Sequence, residues 1–247
     1  GSYGTNGFYL PFTNKTSTTT LGYDFSPNGN NWTTNNISLT AGATYDSMTD
    51  VPTLTSATAA NYATLNPVNA GGTSITFSNG NLFATFGGAT WFTTTSTMGM
   101  VGSSKYYFEF TKTDTSSQMV GIFPSNGSIS SFVGNDANGY GYFSANGMLY
   151  NNAGGSISFG ATWTNGDVIG IAFDASTGKL WFSKNNTWQA SGDPSAGTSP
   201  AATASSAYTY VAGFSTNGSG VGTVNFGQRP FTYTPPTNFV ALNTYNL

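Results

Sequence analysis

The stretch DVIGIAFDASTGKLWFSK, residues 167–184, reads as two strands and the turn between them. Residues 167–173 are apolar on both faces, a pattern that suits a strand buried on both sides in the middle of a sheet. The DASTG segment that follows carries turn-forming residues. Lys179–Lys184 then alternates, with Leu180 and Phe182 opposite Trp181 and Ser183. Upstream, KYYFEFT at 105–111 alternates as well. Tyr106, Phe108 and Phe110 share one face; Lys105, Tyr107, Glu109 and Thr111 share the other. Residues 74–77 and 82–86 flank an Asn79-Gly80 hairpin signal, and 140–143 and 148–150 flank the turn at Ala145, Asn146 and Gly147. Residues 118–123, 208–214 and 221–226 complete the series. Many short strands separated by Gly and Asn turns indicate an all-β sandwich or barrel.

Composition agrees. Of 247 residues only 6% are charged, against about a quarter in an average soluble chain. Glu109 is the single glutamate, so the residues that usually cover exposed helices are scarce. Aromatic residues make up 15% of the chain, and they favour strands. The net charge is −3, and the six basic residues, Lys15, Lys105, Lys112, Lys179, Lys184 and Arg229, are scattered. A nucleic-acid groove needs clustered phosphate contacts, so no nucleic acid is expected. No apolar run is long enough for membrane insertion. With no His and no Cys, disulfides, thiolate chemistry, structural zinc and the Ser-His-Asp and Cys-His catalytic designs are excluded.

The first part of the chain differs in texture. Residues 7–12 (GFYLPF) predict one short strand, 14–44 are rich in Asn, Thr and Gly, and 46–67 predict an ordered loop held by Tyr45, Met48, Val51, Tyr62 and Leu65. The expected organisation is an irregular N-terminal extension over 1–69 and a sandwich domain over 70–247. The chain starts at Gly1 without a signal-like segment, and a piece of a longer polypeptide is expected.

A series of motifs then resembles one family. Residues 102–110 (GSSKYYFEF) resemble the entry strand of SPRY domains, and MVGI at 119–122 its successor. Residues 132–142 (FVGNDANGYGY), 165–174 (NGDVIGIAFD), 178–185 (GKLWFSKN) and 225–236 (NFGQRPFTYTPP) follow in family order, and VALN at 240–243 closes the set. The resemblance implies a concanavalin-A-like, SPRY (B30.2-like) sandwich of two antiparallel sheets, with residues 73–99 supplying extra N-terminal strands. The tracts GTNGFYLPF, NGNNWTTNNISLT and NYATLNP resemble the linker that precedes SPRY domains in bacteriophage and metagenomic virion proteins.

The family's partner surface lies on loops at one end of the sandwich. Carried over residue by residue, the resemblance puts Ile129 and Phe132 in a first loop, with Asn135 and Asp136 as polar neighbours. It puts Phe214, Ser215 and Thr216 in a second, before the last strand. The arginine and tyrosine contacts of the family have no counterpart here, so its peptide specificity is not carried over. Trp91, Trp163, Trp181 and Trp188 could stack on a sugar, though tryptophans more often fill a core. Calcium is conceivable at the Asn135–Gly139 and Asp174–Gly178 loops, but each offers one carboxylate where the ion wants several, so no metal is expected. Asp167, Asp174 and Asp193 sit at strand starts or turns, where Asp is ordinary, and no pair of carboxylates presents itself for glycoside hydrolysis. Gly218, Gly220 and Gly222 read as a hairpin tip with no following helix to bind phosphate.

The expectation is therefore a non-enzymatic module without cofactor, in a virion or otherwise extracellular. It would recognise a surface glycan or protein as part of a tail fibre or as a surface decoration, and a fibre-borne form would be a homotrimer. The alternatives are an assembly protein whose partners are other virion subunits, and a secreted bacterial carbohydrate-binding module.

Overall fold

The computed structural model describes residues 2–52, 54–72, 74–152 and 155–247. Its strands in chain order are β1 (Leu65–Ala70), β2 (Ile75–Ser78), β3 (Phe83–Phe86), β4 (Trp91–Met100), β5 (Lys105–Lys112), β6 (Gln118–Pro124), β7 (Tyr140–Phe143), β8 (Met148–Asn151), β9 (Gly155–Ser158), β10 (Val168–Asp174), β11 (Lys179–Lys184), β12 (Thr187–Trp188), β13 (Ala202–Thr203), β14 (Tyr210–Asn217) and β15 (Val221–Asn225). They form two antiparallel sheets. One has the order β1-β4-β14-β6-β7-β8-β9; the other runs β12-β11-β10-β5-β15-β3-β2, with β13 added to β11. The only α-helix among the described residues is the four-residue turn α1 (Thr18–Leu21), capped by Ser17.

β10 is buried along its whole length, as its apolar run requires, and pairs with β5 on one side and β11 on the other. Phe108, Phe110, Ile169, Ile171, Phe173, Leu180 and Phe182 face the second sheet, which answers with Val120, Ile122, Tyr142, Leu149 and Phe214. Full burial of each such side chain stabilises by about 1.5–3 kcal/mol, and the sum holds the sheets together.

The other face of β5 is not solvent-facing. Glu109 is only 1% exposed. Segment 229–240 crosses that face, and its Phe239 packs with Tyr107, Ala172 and Trp181 beneath. The strap is tied at Glu109, whose two oxygens accept the backbone N–H groups of Thr232 and Tyr233 and the Tyr107 hydroxyl.

Three expectations change. Residues 7–12 form no strand; Phe12 has a left-handed φ of 56°, and Tyr9 N–H goes to the Asp24 carboxylate instead of a neighbouring strand. Residues 214–216 lie inside β14, not in a loop, and are buried. The turn at 218–220 is no hairpin tip, because β14 and β15 belong to different sheets and the chain crosses between them there. WFTTTSTMGM forms the ten-residue strand β4, and its run of threonines has no apolar period.

Candidate functional surface on the seven-stranded sheet

The segment 125–139 between β6 and β7 lies flat on the outer face of the seven-stranded sheet. Two glycines make room for it. A Cβ on Gly141 would sit 2.1 Å from Val133 O, and one on Gly213 would sit 2.7 Å from Val133 Cγ2. Val133 is fully buried as a result. The segment is pinned by β4 and β14. Thr93 N–H donates to Ile129 O at 3.0 Å, the Thr93 hydroxyl donates to Ser131 O at 2.5 Å, and Val133 N–H donates to Ser215 Oγ at 2.9 Å.

Held this way, Phe132 joins a closed circuit of four half-buried rings. Its centroid is 5.5 Å from Trp91 and 5.9 Å from Tyr150. Phe143 completes the circuit, 5.7 Å from both Trp91 and Tyr150. All four contacts are edge-on, the geometry aromatic quadrupoles prefer. Trp91 opens β4, Phe143 ends β7 and Tyr150 belongs to β8, so three rings are set by the sheet and the fourth by the loop. Ile129, also half-buried, lies on the same segment.

The seven residues singled out in the sequence therefore divide. Ile129 and Phe132 are on the surface of the segment. Asn135 and Asp136 shape it: Asn135 N–H donates to Phe132 O, and Asp136 Oδ2 accepts Ser128 N–H. Ser215 is fully buried and anchors the segment from below, also sharing a 2.8 Å hydrogen bond with Thr93. Phe214 points to the opposite face, where it meets Phe86 at 4.9 Å and Phe110 at 4.5 Å. Thr216 is buried and donates its hydroxyl to Ser117 O. Phe214, Ser215 and Thr216 thus have no surface to offer a ligand; strand register, alternating between core and loop anchor, accounts for all three. Phe143 and Tyr150 join the surface from β7 and β8, the two strands that flank the turn at Ala145, Asn146 and Gly147. Trp163 and Trp181 are core residues, 3% and 2% exposed.

The carboxylates are spent on structure. Asp174 Oδ1 accepts the Ser176 hydroxyl and N–H groups from Ser176 and Thr177, and Oδ2 pairs with Lys105 at 3.4 Å. Burial alone would raise its pKa, but the turn and the lysine outweigh it and hold the carboxyl low. Asp167 behaves alike, with burial outweighed by Thr164 N–H, Asn185 and Lys184. Glu109 goes the other way, since burial raises it more than its hydrogen bonds lower it. No cluster of three or more acidic side chains able to hold a metal occurs among the described residues.

The fold is a two-sheet sandwich with a strand-pinned loop on one outer face. The chain belongs to the SPRY domain family, whose model matches residues 105–229, half of its length. The match starts at β5 and ends at the first residue of the strap, so Phe132, Phe143 and Tyr150 lie inside it and Trp91 outside. A crystal structure of a human SPRY domain is similar, with a TM-score of 0.47 and 16% identity, over 62% of this chain and 94% of that one. Curated proteins provide no match.

Proposed function

We propose that this SPRY domain is a non-enzymatic binding module that recognises a surface glycan or protein through the outer face of its seven-stranded sheet. The observation that carries the reading is the quartet of Trp91, Phe132, Phe143 and Tyr150, four rings left half-buried on a pinned surface. Aromatic rings of this kind supply contact area at low entropic cost and stack on sugars or peptides. SPRY domains are in general interaction modules without catalysis, and the use of the carboxylates here in turns and straps agrees with that. We further propose a place in a bacteriophage virion, as a receptor-binding or surface-decorating part. The support is the low charge and the resemblance of residues 4–67 to virion linkers.

The test is a glycan-array screen and a binding assay on intact host cells, with Trp91→Ala and Tyr150→Ala beside the parent chain. Saturable binding to one glycan class or one surface protein, weakened about tenfold or more in either variant, supports the reading. Binding by the parent that both variants retain in full overturns the assignment to this surface.

One observation favours the assembly reading as second choice. Tyr3, Phe8, Tyr9, Phe12, Tyr23, Phe25 and Trp32 are all more than a third exposed, a concentration of apolar surface in the extension that suits contact with another virion subunit. Silence on arrays and cells, together with capture by a neighbouring virion subunit, would favour it.

A further inference from the structure

At the end of the sandwich where β7 runs out, directly after Phe143, a recess of about 310 Å³ opens between the sheets. Lys112, Ser116, Ser144, Thr162, Trp163 and Lys184 are among its lining residues. Two donors there are short of acceptors. Lys112 is 2% exposed, and its ammonium has three N–H groups. One goes to Ser116 O. The nearest carboxylate, Asp114, stays at 3.7 Å. Asp114 cannot come closer cheaply, because its oxygens already accept Ser116 N–H, the Ser116 hydroxyl, Gln118 Nε2 at 2.7 Å and Val221 N–H at 2.7 Å. The second donor is Trp163. Its indole Nε1–H is buried and has no acceptor among the described residues, and the Lys112 ammonium stands 5.5 Å from its ring. Leaving such buried donors unmet is unfavourable. Lys184 at the rim is already engaged, by Thr162 O at 2.9 Å and Asp167 at 3.1 Å, so it contributes field more than hydrogen bonds.

A buried cation and an unmet indole N–H, carried by two residues that line one recess, ask for an anionic acceptor. The rim of serine and threonine hydroxyls asks for a ligand that carries hydroxyls as well, and the volume suits one sugar ring. We propose that this recess binds the carboxylate of a single acidic sugar residue, such as a uronate or a sialate, with Lys112 and the Trp163 indole N–H as its donors. The site is separate from the aromatic quartet and does not rest on the reading of that surface.

The experiment is a ¹H–¹⁵N titration of the intact chain, watching the five tryptophan indole N–H signals, with glucuronate, galacturonate and N-acetylneuraminate as probes and glucose and acetate as controls. Trp163→Phe identifies the signal by its loss and keeps the ring. The expected result is a saturable downfield shift of that one signal with at least one acidic sugar, no comparable shift with glucose or acetate, and calorimetric affinity at least about tenfold weaker in Trp163→Phe. Lys112→Met is expected to weaken binding as much; should it fail to fold, Trp163→Phe decides alone. No shift with any acidic sugar overturns the proposal, the donors then being met by water. An equal shift with acetate overturns the sugar, and an equal shift with glucose overturns the carboxylate. Trp91→Ala leaves the titration unchanged, so failure here and failure of the quartet are told apart.

Discussion

Phe132 and Phe214 look alike in the sequence, each a phenylalanine followed by small residues near a glycine, and the structure gives them opposite tasks. Phe214 is 1% exposed and wedged between Phe86 and Phe110. Phe214→Ala should cost about 3–5 kcal/mol in urea unfolding, the usual range for a large core ring. Phe132 keeps part of its surface in water and is held by edge contacts to Trp91 and Tyr150, each worth about 0.5–1.5 kcal/mol beyond area. Phe132→Ala should therefore cost no more than about 2 kcal/mol while weakening partner binding. A loss as large as that of Phe214→Ala would mark it as core and remove it from the candidate surface. At Glu109 the informative change is Glu109→Gln. Both carboxylate oxygens accept N–H groups, and an amide would turn a donor toward one of them. A loss of about 1–3 kcal/mol is expected, with the strap over 229–240 becoming protease-sensitive first.

At the scale of the element, the segment 125–139 depends on two glycines that an alternating strand pattern does not ask for. Gly141→Ala places a Cβ against a backbone carbonyl with no flexible end to yield, so the segment must lift. The expected outcome is about 1–3 kcal/mol of destabilisation, earlier proteolytic cleavage within 125–139, and loss of partner binding out of proportion to the loss of stability. Unchanged cleavage kinetics would show that the segment is not held down by this contact. The extension is a second element with its own tie. Asp24 accepts Tyr9 N–H, Ser26 N–H and hydroxyl, and Asn30 N–H. Desolvation pushes its carboxyl up, but these hydrogen bonds win and bring it down to about 2. An unfolded aspartate titrates near about 3.9, so the ordering that Asp24 supplies is complete above that pH and drains away as the pH falls through about 2. Backbone resonances of residues 4–32 should move toward random-coil positions between about pH 4 and 2 while those of β5 and β10 hold. In Asp24→Asn they should already be displaced at neutral pH; identical acid profiles in the two chains would rule Asp24 out as the tie.

Over the whole molecule, the carboxylates pull in two directions. Asp24, Asp167 and Asp174 are held low and add stability above their unfolded values. Glu109 is held high, so its ionisation subtracts stability as the pH rises past about 4.3. Much of this architecture was legible beforehand. Strands β5, β10 and β11 follow from alternation and from one doubly apolar run, because side-chain period and burial are local consequences of the pleat. The absence of His and Cys removes whole classes of chemistry without reference to any coordinate. What the chain alone did not reveal is non-local. The threonines of β4 carry no apolar period, and nothing in their pattern announces that a segment about forty residues away in the chain lies on them. Carrying over the family's loop positions places Phe214, Ser215 and Thr216 in a loop, and only the pairing of β14 with β4 and β6 puts them inside a strand. Glu109 reads as solvent-facing until the strap from 229–240 covers it. Composition and period are properties of neighbours in the chain, and they set an all-β fold with almost no ionic chemistry, while the motif resemblance points to SPRY. Only the tertiary structure decided which aromatic rings meet, which donors stay unmet and which face the loop covers, because those depend on contacts between residues far apart in sequence, and no local pattern encodes them.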